Sequence, residues 1–234
     1  MSHNFRFLEE KWEVLARVGE TAERNVYQNP NVTISELRKF AETITKYILA
    51  LEEIREERGT DQQERLRILF YEQIIPKEIY DLFTVIRLKG NEAVHNPSYG
   101  EVNEAKALLH MAFRIAVWFM EVYGDWSFQT PEYIEPTPQP SISADELDHV
   151  VKSYEEKLAQ LETELEKIRK EQLYISSEEK QKRREFSQRA IANFELTEAE
   201  TRILIDQQLR EAGWEADSEK LRFSKGVRPE KGRN

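Results

Sequence analysis

Gly100-Glu-Val-Asn-Glu-Ala-Lys-Ala-Leu-Leu-His-Met-Ala-Phe-Arg-Ile-Ala-Val-Trp-Phe-Met-Glu-Val-Tyr123 decides the fold class. Apolar side chains recur at helical spacing around most of its circumference: Ala105, Leu108, Leu109, Ala112, Phe113, Ile115, Ala116, Phe119 and Met120. A helix that is apolar on nearly every side must be surrounded by other elements, so the stretch predicts the central helix of a bundle. Upstream, the same period marks the helices that would surround it. Phe7, Leu8, Trp12, Leu15 and Val18 form one stripe, on a helix ending near Asn29-Pro30-Asn31. A second helix, capped by Thr33 or Ser35, places Ile34, Leu37, Ala41, Ile44, Ile48 and Leu51 three and four apart.

The run Glu52-Glu-Ile-Arg-Glu-Glu-Arg-Gly59 then leads to a loop at Thr60-Asp61. Leu66, Leu69 and Phe70 mark a third helix that stops before Ile75-Pro76, because proline disfavours helical backbone in the residue before it. Pro76 suits the first turn of a fourth helix, which carries Ile79, Leu82, Phe83 and Ile86. These helices define an expected domain over residues 1–124. Residues 125–143 contain Pro131, Pro136, Pro138 and Pro140 and no helical period, as an extended linker does.

Over residues 144–194 the pattern changes to a heptad. Leu147, Val151, Tyr154, Leu158, Leu161, Leu165, Ile168 and Gln172 alternate four and three apart, flanked by Glu and Lys. The seam pairs either with another copy, giving a homodimer, or with a helix over residues 178–194, whose stripe of Phe186, Ala190 and Ile191 is poorer. Tyr174-Ile-Ser-Ser177 supplies the break and a serine cap between the two.

The chain has 234 residues, and 39% apolar content supports a core. With 33% charged residues, a long solvated element is also expected. No apolar run approaches the ~20 residues of a membrane span. The N-terminus lacks the order of a secretory signal, and zero cysteines exclude a disulfide framework or thiolate metal site. A soluble cytoplasmic protein follows. The net charge of -10 argues against nucleic-acid binding by the chain as a whole. From Lys220 onward, however, Lys220, Arg222, Lys225, Arg228, Lys231 and Arg233 face one acid, Glu230. Lys225, Arg228, Lys231 and Arg233 are the candidate DNA contacts.

Residues 195–234 begin with Leu196-Thr-Glu-Ala-Glu-Thr-Arg-Ile-Leu-Ile-Asp-Gln-Gln-Leu-Arg-Glu-Ala-Gly-Trp214. Thr197 as N-cap with Glu200 three residues on predicts a capping box, and the segment runs on into an expected strand from Leu221. This "T-E-A-E-T-R … L-x-x-A-G-W" pattern resembles the start of the nuclease domain of type I restriction enzyme R subunits, fused nuclease and helicase polypeptides. The resemblance implies that Glu200 is the first-helix acid near a divalent metal, and that the strands carrying the other metal-binding acids and the E-x-K lysine lie elsewhere.

Ile86-Arg-Leu-Lys-Gly-Asn-Glu-Ala-Val-His95, followed by Asn96-Pro97, departs from a plain amphipathic helix. Gly90 and Asn91 are expected to interrupt it. The segment resembles a helical domain of unassigned function found at the N-terminus of type I R subunits and distantly related to the HEPN superfamily. Its "R-x-x-G-N-x-A-V/A-H" signature falls on Arg87, Gly90, Asn91, Ala93 and His95. Catalytic HEPN ribonucleases use such an arginine to stabilise phosphate charge and the histidine to move a proton. Arg87 and His95 have seven residues between them, more than that motif has. The structural alternative has His95 ending the helix, Asn91 bonding a carbonyl, and Gly90 packing against Ala112 or Ala116.

Other candidates carry less. Glu104-Ala-Lys106 matches E-x-K but sits in a helix, where the motif needs a strand. His3 lies in a terminus expected to be loose, His110 lies off the apolar face, and His149 stands beside the seam. Gly226 and Gly232 form no phosphate loop, and no Walker motif is present. Trp12 and Trp118 read as core, and Trp214 follows the helix-ending Gly213.

The expected architecture is mainly α: a helical bundle, a proline-rich linker, a coiled-coil or helical hairpin, and the first helix and strand of an incomplete α/β nuclease domain. By resemblance, the chain is a docking or regulatory N-terminal region. Its intact parent would cleave foreign DNA with Mg²⁺ after ATP-driven translocation, in complex with methylation and specificity subunits. Neither cofactor is expected in this chain alone. Two alternatives stand beside this reading: a HEPN-like ribonuclease or RNA-binding module using Arg87 and His95, and a non-enzymatic coiled-coil adaptor.

Overall fold

Asn29 and Pro30 set the boundary between the first two helices by local chemistry. In the computed structural model, which describes residues 3–57, 59–125, 127–138, 161, 163–168, 170, 175–192 and 194–216, the Asn29 side chain accepts from the Val32 amide. Pro30 takes the first turn, where its missing N–H costs nothing. The helix therefore starts before the Thr33 or Ser35 cap expected from sequence. Thr33 lies inside it, and its hydroxyl donates 2.8 Å to the Ala22 carbonyl of the preceding helix.

The described helices are α1 (Glu13–Asn25), α2 (Pro30–Leu51), α3 (Gln62–Tyr71), α4 (Lys77–His95), α5 (Val102–Tyr123), α6 (Ser177–Ala190) and α7 (Glu198–Glu211). Residues 161, 163–168 and 170 are also helical, and no strand occurs among the described residues. The mainly α class is thus the observed one. The chain divides into two compact units, Met1–Asn193 and Phe194–Asn234.

In the first unit the apolar stripes do what their spacing predicts. All nine α5 positions named above are buried, and so are all six on α2. The centre is shared, however, because α2 touches α1, α3, α4 and α5. The first helix is shorter than its stripe implied: Arg6–Leu8 form a separate 3-10 turn, and α1 begins at Glu13. Phe5, ahead of that turn, is fully buried, with Phe40 and Phe113 ring centroids 5.1 and 6.3 Å away. Gly19 of α1 admits it, since an added Cβ would lie 2.3 Å from the Phe5 ring. His3, expected to be loose, holds Glu9 at 3.2 Å.

α3 starts at an Asp61 cap, and Pro76 is the N-cap of α4 rather than a residue of its first turn. α4 then runs unbroken to His95, through Gly90 and Asn91. The expected interruption is absent because the glycine answers a tertiary demand. A Cβ at Gly90 would lie 2.4 Å from Arg38 Cβ, so its absence lets α4 approach α2, not Ala112 or Ala116 of α5. Close packing offsets the ~1 kcal/mol that glycine costs a helix.

Residues 128–138 have no helical or strand structure, and they are fastened along the first unit. The Asn4 side chain accepts from the Ile134 amide and donates to the Ile134 carbonyl, both at 2.8 Å, as a neighbouring strand would. Tyr27 donates to the Pro136 carbonyl at 2.8 Å, and Lys106 pairs with Glu135. Tyr133 sits 4.4 Å from the ring of His110 and 5.1 Å from that of Phe113.

Of the heptad positions, Leu161 and Leu165 are buried and Ile168 is half-buried. Leu147, Val151, Tyr154, Leu158 and Gln172 lie outside the described residues, as do His149 and Trp126. Tyr47 of α2 donates 2.6 Å to Glu164. Ser176 caps α6 by accepting from the Glu179 amide. In α6 the buried residue is Ser187, while Phe186, Ala190 and Ile191 are half-buried.

In the second unit α7 begins at the Thr197 cap. It ends at Gly213, whose φ of +81° is the left-handed conformation that glycine supplies at a helix C-terminus. The expected strand from Leu221 lies outside the described residues.

Candidate functional site

One continuous helix carries both Arg87 and His95, and this fixes their separation. Eight residues at about 1.5 Å and about 100° each put the two α-carbons about 12 Å apart along the axis and about 80° apart around it. Arg87 is half-buried, and His95, the last helical residue, is exposed. The backbone of a single chain therefore does not bring the pair together.

The rest of the signature gathers on α2. Ala93 is buried, and Asn31, in the first turn of α2, clasps the end of α4. Its amide nitrogen lies 2.9 Å from the Ala93 and Asn96 carbonyls and 3.1 Å from the Tyr99 carbonyl. Two hydrogens serve three acceptors. Asn96 turns the chain by accepting from the Ser98 amide at 3.1 Å. Gly100 follows at φ +104°, where a Cβ would crowd Ile34 of α2. Asn91 is half-buried.

Beside this clasp, Lys89 pairs with Glu104 at 2.7 Å, and Tyr99 bonds both, at 3.0 and 2.9 Å. Burial first, then the Glu104 and Glu92 carboxylates, raise the Tyr99 phenol pKa far above its ordinary value, so it stays a proton donor. Glu104 and Lys106 thus serve different ion pairs, with Lys89 and Glu135 respectively, as two helical positions two apart should.

Glu200 forms the capping box that its spacing predicts. Its carboxylate accepts from the Thr197 amide at 2.8 Å, and the Glu200 amide donates to the Thr197 hydroxyl at 3.3 Å. The residue is fully buried. Among the described residues, no three His, Asp or Glu side chains are grouped to hold a metal ion. Lys225, Arg228, Lys231 and Arg233 lie outside the described residues. Thr197→Ala is expected to cost about 1 kcal/mol in α7, read as faster amide exchange over residues 198–211, with α1 to α5 unchanged.

Sequence reading missed a charged cluster where α6 meets α2 and α5 within the first unit. Glu52, the C-cap of α2, has its side chain 1% exposed. It accepts from Arg183 at 3.3 Å, Arg184 at 3.1 Å and the Tyr123 hydroxyl at 3.0 Å. Arg183 also donates to the Leu51 carbonyl at 2.8 Å and lies 5.2 Å from the Tyr123 ring. Burial and the Glu52 carboxylate push the Tyr123 phenol far above its usual pKa. A signal was present: Ile44, Ile48 and Glu52 fall four apart on one stripe, which places an acid at a core position.

With this geometry in view, one class of known proteins stands out by similarity. The chain is similar to an N-terminal part of the endonuclease subunits of type I restriction enzymes. The particular relative is the type I restriction enzyme EcoKI endonuclease subunit of Escherichia coli (strain K12), 29% identical over an alignment 276 positions long, gaps included. The alignment takes in 99% of this chain and 23% of that subunit, so the chain spans under a quarter of its relative's length. No family model and no solved structure matches.

Proposed function

We propose that the chain is the N-terminal docking and regulatory region of a type I restriction endonuclease R subunit, acting in the cytoplasm in defence against foreign DNA. The observation that carries this is the similarity to the EcoKI endonuclease subunit along 99% of the chain. Two features of the structure support it. Glu200 and Thr197 build the first-turn box of a helix that, by resemblance, opens a nuclease domain. That helix and its turn also leave Ile205, Leu209 and Trp214 well exposed, at 49%, 39% and 38%. On this reading, Mg²⁺-dependent cleavage and ATP-driven translocation belong to the intact parent, and so do DNA contacts. The partners are methylation and specificity subunits. No helix among the described residues is long and apolar enough to cross a membrane.

The test is competition. A preassembled complex of methylation and specificity subunits is mixed with the purified 234-residue chain and resolved by size. Co-elution, reversed by adding the intact R subunit, is the expected result. Separate elution at concentrations where the intact subunit binds would sink the docking assignment.

A further inference from the structure

On α6 the positions that an ordinary docked helix gives to apolar residues hold three cations and a serine. Lys180, Arg183, Arg184 and Ser187 fall at i, i+3, i+4 and i+7, one face of the helix. That face is the one turned to α2 and α5. Lys180 pairs with Glu53 at 3.6 Å, the two arginines close on Glu52, and Ser187 accepts from the Trp118 indole at 3.2 Å. α6 also packs on α5, yet Ser187 is its one fully enclosed residue. α2 and α5, by contrast, bury apolar stripes along their lengths.

The cluster stands at the C-terminal end of α2, and this gives it a direction. The helix macrodipole leaves that end partly negative, and Glu52 and Glu53 add two carboxylates to it. Three cations of α6 answer them, one reaching the Leu51 carbonyl itself. Such an arrangement attracts strongly at a distance, but its net stabilisation is small. Bringing charges out of water costs nearly what the pairing returns. On separation, the arginines, the lysine and both glutamates recover their water, whereas a separated apolar stripe would meet water at full cost.

We infer that α6 is a releasable latch: a cationic helix held by the acidic end of α2, undocking without unfolding the bundle. It is the last helix before the second unit begins at Phe194. The inference rests on this contact surface and stands whether or not the restriction-subunit reading holds.

Amide exchange on the full 234-residue chain tests it. Raising NaCl from about 0.05 M to about 1 M shortens the Debye length to ~3 Å. Exchange over residues 177–190 should then rise about tenfold while α5 keeps its protection. The double variant Arg183→Gln with Arg184→Gln should reach the same fast exchange at low salt, with the melting of the bundle little changed. If α6 exchanges only together with α5 at every salt concentration, it opens by global unfolding and the latch is overturned. The salt series uses the unsubstituted chain, so the test survives a variant that fails to fold.

Discussion

Replacing Phe5 by alanine is expected to destabilise the first unit by about 3–5 kcal/mol, the range for emptying a packed phenylalanine site. For a unit of this size that is a fall of about 6–20 °C in Tm, checked by calorimetry or thermal circular dichroism. The size of the effect follows from what the ring joins. Fully buried, it packs on Phe40 of α2 and Phe113 of α5, and it lies against the backbone of α1 at Gly19. Its loss opens a cavity where a turn and three helices meet. Gly19→Ala offers a companion test with competing signs. Alanine gains about 1 kcal/mol of helix propensity, but its methyl would fall 2.3 Å from the Phe5 ring, and overpacking of that kind costs about 1–3 kcal/mol. In the Phe5→Ala background the ring is gone and the turn can yield. The double variant should therefore be more stable than the sum of the singles by about 1 kcal/mol or more. Additive effects would mean that ring and glycine do not share one space.

This pair also shows where sequence reading stopped. The stripes of α2 and α5 were legible because each helix buries one continuous face, and apolar period reports burial directly. The Thr197–Glu200 box was legible because both halves lie within one turn. Gly19 and Gly90 were not, because the reason for each sits on another element, at Phe5 and Arg38. Read locally, Gly90 looked like a break. The fastening of residues 128–138 was hidden for the same reason, since Asn4 and Ile134 are 130 positions apart. α6 escaped in a further way. It docks through arginines and a serine, which an apolar pattern registers as solvated surface. The capping role of Glu200 was legible, whereas the geometry of Arg87 and His95 depends on α4 running unbroken, opposite to what Gly90-Asn91 suggests.

Asn31→Ala should separate the structural part of the α4 signature from any chemical one. The side chain serves the carbonyls of Ala93, Asn96 and Tyr99, and alanine leaves all three to water or to nothing. The expected cost is about 1–3 kcal/mol, with exchange over residues 93–100 accelerating before the rest of the bundle opens. His95→Ala should do neither. The ring is exposed at the last helical position, and such a surface substitution stays within about 0.5 kcal/mol. Because His95→Ala leaves the fold intact, it also gives a clean readout of chemistry. With Arg87 about 12 Å away along the same helix and turned about 80° around it, the two side chains are not preassembled as a pair, so no His95-dependent RNA cleavage is expected. Cleavage that is present in the unsubstituted chain and lost in His95→Ala would overturn that expectation. If His95→Ala instead weakens binding to methylation and specificity subunits without touching stability, the exposed end of α4 is part of the docking surface. The end of α4 then has two layers, with Gly90 and Ala93, clasped by Asn31 of α2, holding the turn, and Val94, His95 and Pro97 displayed by it.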